Sequence, residues 1–161
     1  MSTAQALDQW SWSDSIAAQT IDAALRAPMA VSTSMLGRTD VGFVPEWVNV
    51  FQQRIAELHG LRRDWDGRGS AAVRPDALFF AYSVLGQSMA PATVAPSVIP
   101  LGHGGVQMVW SSADADVEVE VVQPNEVIIY HLDKASGTER EWHAATEFSD
   151  LSTLLRAVFT R

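Results

Sequence analysis

Val117-Glu118-Val119-Glu120-Val121 is the stretch on which the fold turns. Successive side chains of a strand point to opposite faces, so three valines and two glutamates in strict alternation describe a strand buried on one side and wet on the other. Its neighbours continue the pattern. Upstream, after Gly102-His103-Gly104-Gly105, Val106, Met108 and Trp110 point one way, Gln107 and Val109 point the other, and Ser111 to Ala115 forms a polar loop. Downstream, Pro124-Asn125 turns the chain into Val127-Ile128-Ile129-Tyr130, a segment rich in β-formers on both faces and therefore placed centrally. Asp133 to Gly137 makes the next turn, and Glu139 to Ala144 reads as a last strand with Arg140 and Trp142 on one face and Glu141 and His143 on the other. Pro91, Pro96 and Pro100 keep the passage from Val94 to Leu101 extended, because proline disfavours helix at its own position and at the one before it.

A half-buried sheet needs a covering layer, and the sequence before it supplies helices. Trp47, Phe51, Ile55 and Leu58 recur at four- and three-residue steps behind Pro45 and Glu46, which suit a first turn. Pro75 and Asp76 open a second helix whose run from Ala77 to Tyr82 is apolar nearly all round, as in a helix covered on more than one side. Ser149-Asp150 starts a short terminal helix with Leu151, Leu154, Leu155 and Val158 on its inner side. Between the first two helices lies Asp64-Trp65-Asp66-Gly67-Arg68-Gly69-Ser70, a hinge in which Gly67 or Gly69 takes positive φ, Asp66 closes the turn on backbone N–H groups, and Trp65 is expected as a buried plug between the helices. The same residues admit a second reading, a carboxylate and an arginine at the mouth of a cleft. The expected fold is α+β: two central helices on an antiparallel meander of four to five strands, a short C-terminal helix and an N-terminal helical arm.

Residues 1–45 read as that arm, with a helix over about 13–27 ended by Pro28 and a small, apolar linker over 28–45; residues 46–161 form the α+β domain. Trp10 and Trp12 sit in a polar context in the arm. With no cysteine, disulfides, thiolate nucleophiles and zinc–sulfur sites are excluded. The start of the chain lacks a signal-peptide pattern, and no stretch approaches the length of a membrane span, so the expectation is a soluble cytoplasmic protein without a membrane role. The net charge of -8 is unevenly placed: residues 1–110 hold nine acids against seven Arg, giving -2, and residues 111–161 hold ten acids against three Arg and one Lys, giving -6. Phosphate binding needs clustered cations, so direct nucleic-acid binding is a poor reading of the C-terminal half, whereas a basic protein partner suits it.

The combination of W-D-G-R-G-S (Trp65 to Ser70), Pro75 opening a helix, P-S-V-I-P (Pro96 to Pro100), G-G-V-Q-M-V-W (Gly104 to Trp110) and V-E-V-E-V (Val117 to Val121) resembles a group of small bacterial proteins, largely without assigned activity. The resemblance covers roughly residues 47–130 and implies the fold and a bacterial or phage origin. That group often carries glutamate before the strand's terminal tryptophan. Val109 stands there in this chain, so no role for such a carboxylate carries over.

The residues show no catalytic set. The serines lack a G-x-S-x-G elbow, and His59, His103, His131 and His143 are scattered. Glu141-x-His143 places two potential metal ligands on one strand face, as any polar strand surface does, and Gly102 to Gly105 lacks both the lysine and the following helix of a phosphate loop. Neither a metal site nor a cofactor is expected. Arg54, Arg62, Arg63, Arg68 and Arg74 gather around the hinge with Glu57, Asp64 and Asp66 among them, either as a cationic patch or as local ion pairs. The reading leans to a non-enzymatic interaction subunit of antitoxin, immunity or defence-accessory type, binding its partner through Glu118, Glu120, Glu139 and Glu141 or through Trp10 and Trp12. Two alternatives stand beside it: a small enzyme or ligand-binding domain with a cleft near Trp65, Asp66, Arg68, His103 and Trp110, and a phage protein whose acidic surface imitates nucleic acid.

Overall fold

The computed structural model describes residues 44–160. The expected arm helix, Trp10 and Trp12 lie outside them. Two helices, α1 (Glu46–His59) and α2 (Pro75–Ser88), precede five strands, β1 (Ser97–Pro100), β2 (Val106–Ser111), β3 (Ala115–Gln123), β4 (Glu126–Asp133) and β5 (Thr138–Ala144), and α3 (Ser149–Phe159) closes the order. The strands form one antiparallel sheet in the order β1-β2-β3-β4-β5, the α+β meander that alternation and turn spacing predict.

Each helix begins where its sequence allows. Pro45 precedes α1, and Pro75 occupies the first turn of α2, where a missing N–H costs nothing. The stripe of α1, Trp47, Phe51, Ile55 and Leu58, is buried along its whole length. Helix α2 is the middle of the helical layer, touching α1, α3, β2 and β3. Ala77, Leu78, Ala81, Val84 and Leu85 are buried there, while Phe79 remains 53% exposed, so the run is covered on several sides but not all round. Along α3 the inner side is Leu151, Leu155 and Phe159, with Leu154 and Val158 only half-buried. Phe80 of α2 meets Phe148, just before α3, edge-on at 6.4 Å.

All buried strand residues share one face of the sheet. Val98, Met108, Val119 and Ile129 lie in one cross-strand row, and Val106, Val121 and Val127 lie in the next. The helices cover that face. Register shifts between Val121 and Gln123, and the carbonyl of the intervening Val122 accepts a hydrogen bond from Arg74 of the helix-side loop. In the tight turn from β3 to β4, Asn125 follows Pro124 with φ 63°, a left-handed conformation that asparagine tolerates better than most residues. Among the described residues no helix is long and apolar enough to cross a membrane.

Trp65 is not the plug between the first two helices. It is half-buried, and the aromatic contact between α1 and α2 is made by Tyr82, whose ring lies 5.9 Å from Phe51 and 6.3 Å from Trp47. A bulky ring on a helix already facing its neighbour fills that space with no help from a loop.

Truncation at the centre and at the rim of α2 should therefore differ sharply. Leu85→Ala empties a fully enclosed site and should cost about 2–5 kcal/mol, whereas Phe79→Ala should stay within about 1 kcal/mol. Urea midpoints measured on both variants check this, and equal losses would contradict the layer order.

Candidate functional site

The sheet has a second face, and the register assembles it into a grid. Gln107, Glu120, Ile128 and His143 form one cross-strand row; Val109, Glu118, Tyr130 and Glu141 form the next; Ser111, Asp116, Leu132 and Glu139 form the third. Glu118 and Glu120 of β3 thus share one surface with Glu139 and Glu141 of β5, two strands away, and Asp116 joins them. Neighbouring strands are about 4.8 Å apart, so Glu118 and Glu141 stand about 10 Å from each other across Tyr130. A shallow, polar depression of about 400 Å³ lies among Gln107, Glu118, Glu120, Ile128, Tyr130 and Glu141.

Few cations answer these carboxylates. Lys134 reaches Asp116 at 2.7 Å, and the Ser111 hydroxyl also donates to Asp116; together they hold that carboxyl below its ordinary range. Gln107 donates its amide N–H to Glu118 at 2.6 Å, and His103 Nε2 stands 3.8 Å from Glu120. Among the described residues no cation pairs with Glu139 or Glu141. Partial desolvation, followed by the nearby Glu139 carboxylate and those of Glu118 and Asp116, pushes the Tyr130 phenol above its ordinary pKa. Tyr130 therefore stays a neutral hydroxyl in a ring of acceptors.

Trp110 does not belong with the other cleft residues. Trp110 is 2% exposed, on the helix face with Val106 and Met108, and its indole Nε1–H donates to the Val94 carbonyl at 2.9 Å. It is a core residue, and it drops out of the cleft because the strand's own parity turns it inward. Trp65 donates its indole N–H to the Ala71 carbonyl at 3.1 Å. Asp66 accepts from the Arg68 N–H at 3.0 Å and from the Ser70 hydroxyl at 2.7 Å, while Asp64 accepts from the Gly69 N–H at 2.7 Å. Gly67 and Gly69 take φ 69° and 87°, as the turn requires. The hinge is fastened to the loop before β2, since Ala71 N–H donates to Gly102 O and Arg74 N–H to Gly104 O. At Gly104, with φ 91°, a Cβ would stand 2.8 Å from the Ala72 carbonyl, so only glycine permits this approach.

The arginines divide. Arg54 donates to the Val98 carbonyl at 3.0 Å and pairs with Glu57 at 2.7 Å, and Arg74 holds the β3 bulge, while Arg62, Arg63 and Arg68 are exposed. The two hinge aspartates bind backbone and hydroxyl groups in place of these arginines. Among the described residues no group of three or more His, Asp or Glu is placed to hold a metal ion. Compared with protein-family models, curated proteins and solved structures, the chain has no significant match.

The hinge predicts a pH dependence. The Ser70 hydroxyl, then the Arg68 N–H, keep the Asp66 carboxyl below its ordinary value. A depressed carboxyl stabilises the folded state at pH above the unfolded-state aspartate value, and that contribution is lost as pH falls through the folded-state value. Asp66→Asn should lower the urea midpoint at neutral pH, and the gap from wild type should close on acidification through the carboxylate range. A gap independent of pH would contradict this role.

Proposed function

We propose that this chain is a non-enzymatic protein-interaction subunit, of antitoxin, immunity or defence-accessory type, that docks a basic protein on the open face of its sheet. One observation carries the reading: Asp116, Glu118, Glu120, Glu139 and Glu141 share a face that the described helices leave uncovered, and Lys134 pairs with Asp116 alone among them. Carboxylates spaced at strand intervals repel one another weakly in water and gain when a cation comes between them, because low-dielectric contact strengthens the attraction. Ile128 and Tyr130 give the middle of the face an apolar floor and a neutral hydroxyl donor, which suits a protein surface better than a free ion. A bacterial or phage setting, implied by the likeness of the tryptophan–aspartate–glycine turn, belongs to the same proposal.

The test begins with the partner that co-purifies with the untagged native protein. Glu118→Gln combined with Glu120→Gln should leave folding stability within about 1 kcal/mol of wild type, since half-exposed carboxylates contribute little to it. Association with that partner should slow by up to about tenfold at low salt, and added salt should weaken the wild-type complex more steeply than the mutant one. Equal rates and equal salt slopes would remove the acidic face from the function.

A further inference from the structure

The two edges of the sheet are unlike. Strand β1 has four residues, follows Pro96, ends on Pro100, and has its Val98 carbonyl engaged by Arg54. It offers little to a further strand. Strand β5 has seven residues, Thr138–Ala144, without proline, and among the described residues pairs only with β4. Among the described residues no backbone–backbone hydrogen bond joins β5 to anything beyond β4, and only its first N–H, that of Thr138, meets a side-chain acceptor, the Ser136 hydroxyl. A paired strand directs alternate N–H and C=O groups away from its partner, so β5 presents a ready row of donors and acceptors.

Resting on the docking reading above, we propose that the partner contributes an extended segment that adds to the β5 edge as a sixth strand, with Lys or Arg at alternate positions. Side chains of an added strand stand directly opposite those of β5, about 5 Å away. On the open face they would meet Glu139 and Glu141, neither paired with a cation among the described residues. On the other face they would meet Trp142, a half-buried indole overlain by Arg140 at 4.7 Å, with Arg140 in turn 3.5 Å from Asp150. The segment that fits carries cations on one face and an apolar residue on the other. A second copy of β5 fits worse: it would set one acidic sheet face beside another, and pairing centred on Arg140 or on Glu141 places like charges opposite each other.

The probe is an end-capped heptapeptide of alternating lysine and valine, titrated into the full-length chain and followed by backbone amide NMR and hydrogen exchange. The β5 amides should shift and gain protection. N-methylation of the peptide amides that face β5 should weaken binding at least about tenfold, the loss expected for forfeited main-chain hydrogen bonds, while methylation of the alternate amides should not. Glu139→Gln with Glu141→Gln should weaken it similarly. Binding that ignores both methylation patterns yet depends on Glu118 and Glu120 would overturn strand addition and leave the acidic face as a docking surface. A glutamate–valine peptide binding equally well would overturn the charge argument for both. No binding of any peptide, or β5 protection that rises with protein concentration alone, would overturn the edge proposal.

Discussion

Everything else in this fold rests on the one-sidedness of β3. Val117, Val119 and Val121 are fully enclosed, and each looks toward the helical layer. Burying a valine side chain is worth about 1.5–3 kcal/mol, so three on the middle strand of five commit the sheet to a cover on that side. Helix α2 supplies it by touching both β2 and β3, with α1 and α3 at its flanks. The strict period of two then sends Glu118 and Glu120 to the opposite face, and the short antiparallel connections of the meander bring no helix there. The acidic face is the direct counterpart of the core.

Holding the cover in place falls to the hinge and the loop before β2. Asp64 and Asp66 satisfy the turn's own N–H groups, Ala71 and Arg74 bond the backbone of Gly102 and Gly104, and the Arg74 side chain reaches the bulge in β3. At the far end, Thr93 pairs with Thr160, and the Val94 N–H donates to the Phe159 carbonyl, tying the end of α3 to the start of the sheet. Polar groups that looked available for chemistry are thus engaged in fixing the helices to one side. Glu139 and Glu141, which pair with no cation among the described residues, are on the side that the described helices do not reach.

Much of this was legible from residue order because it depends on short periods. The alternation in β2 and β3, the stripe from Trp47 to Leu58, and the positive φ at Gly67 and Gly69 are local consequences of side-chain size and backbone sterics. Trp110 obeys the same rule: its parity with Val106 and Met108 places it in the core, whatever its nearness in sequence to the glycine loop. Trp65 was harder, because the choice between it and Tyr82 as the filler between α1 and α2 depends on helix rotation and loop path. The union of the β3 and β5 glutamates on one face depends on register. A slip of one residue in either hairpin would have put Glu139 and Glu141 beside Trp142's present face, and strand composition alone does not set that register.

The acidic sheet face, which the described helices leave open, is the proposed seat of a partner. Carbodiimide labelling of carboxylates, read residue by residue by mass spectrometry in the free protein and in its native complex, tests it most directly. The account predicts that Glu118, Glu120, Glu139 and Glu141 lose reactivity in the complex, while Glu57 and Asp76, on the helices, label at their free rates. Protection of Glu57 and Asp76 with unchanged labelling across the sheet would contradict it.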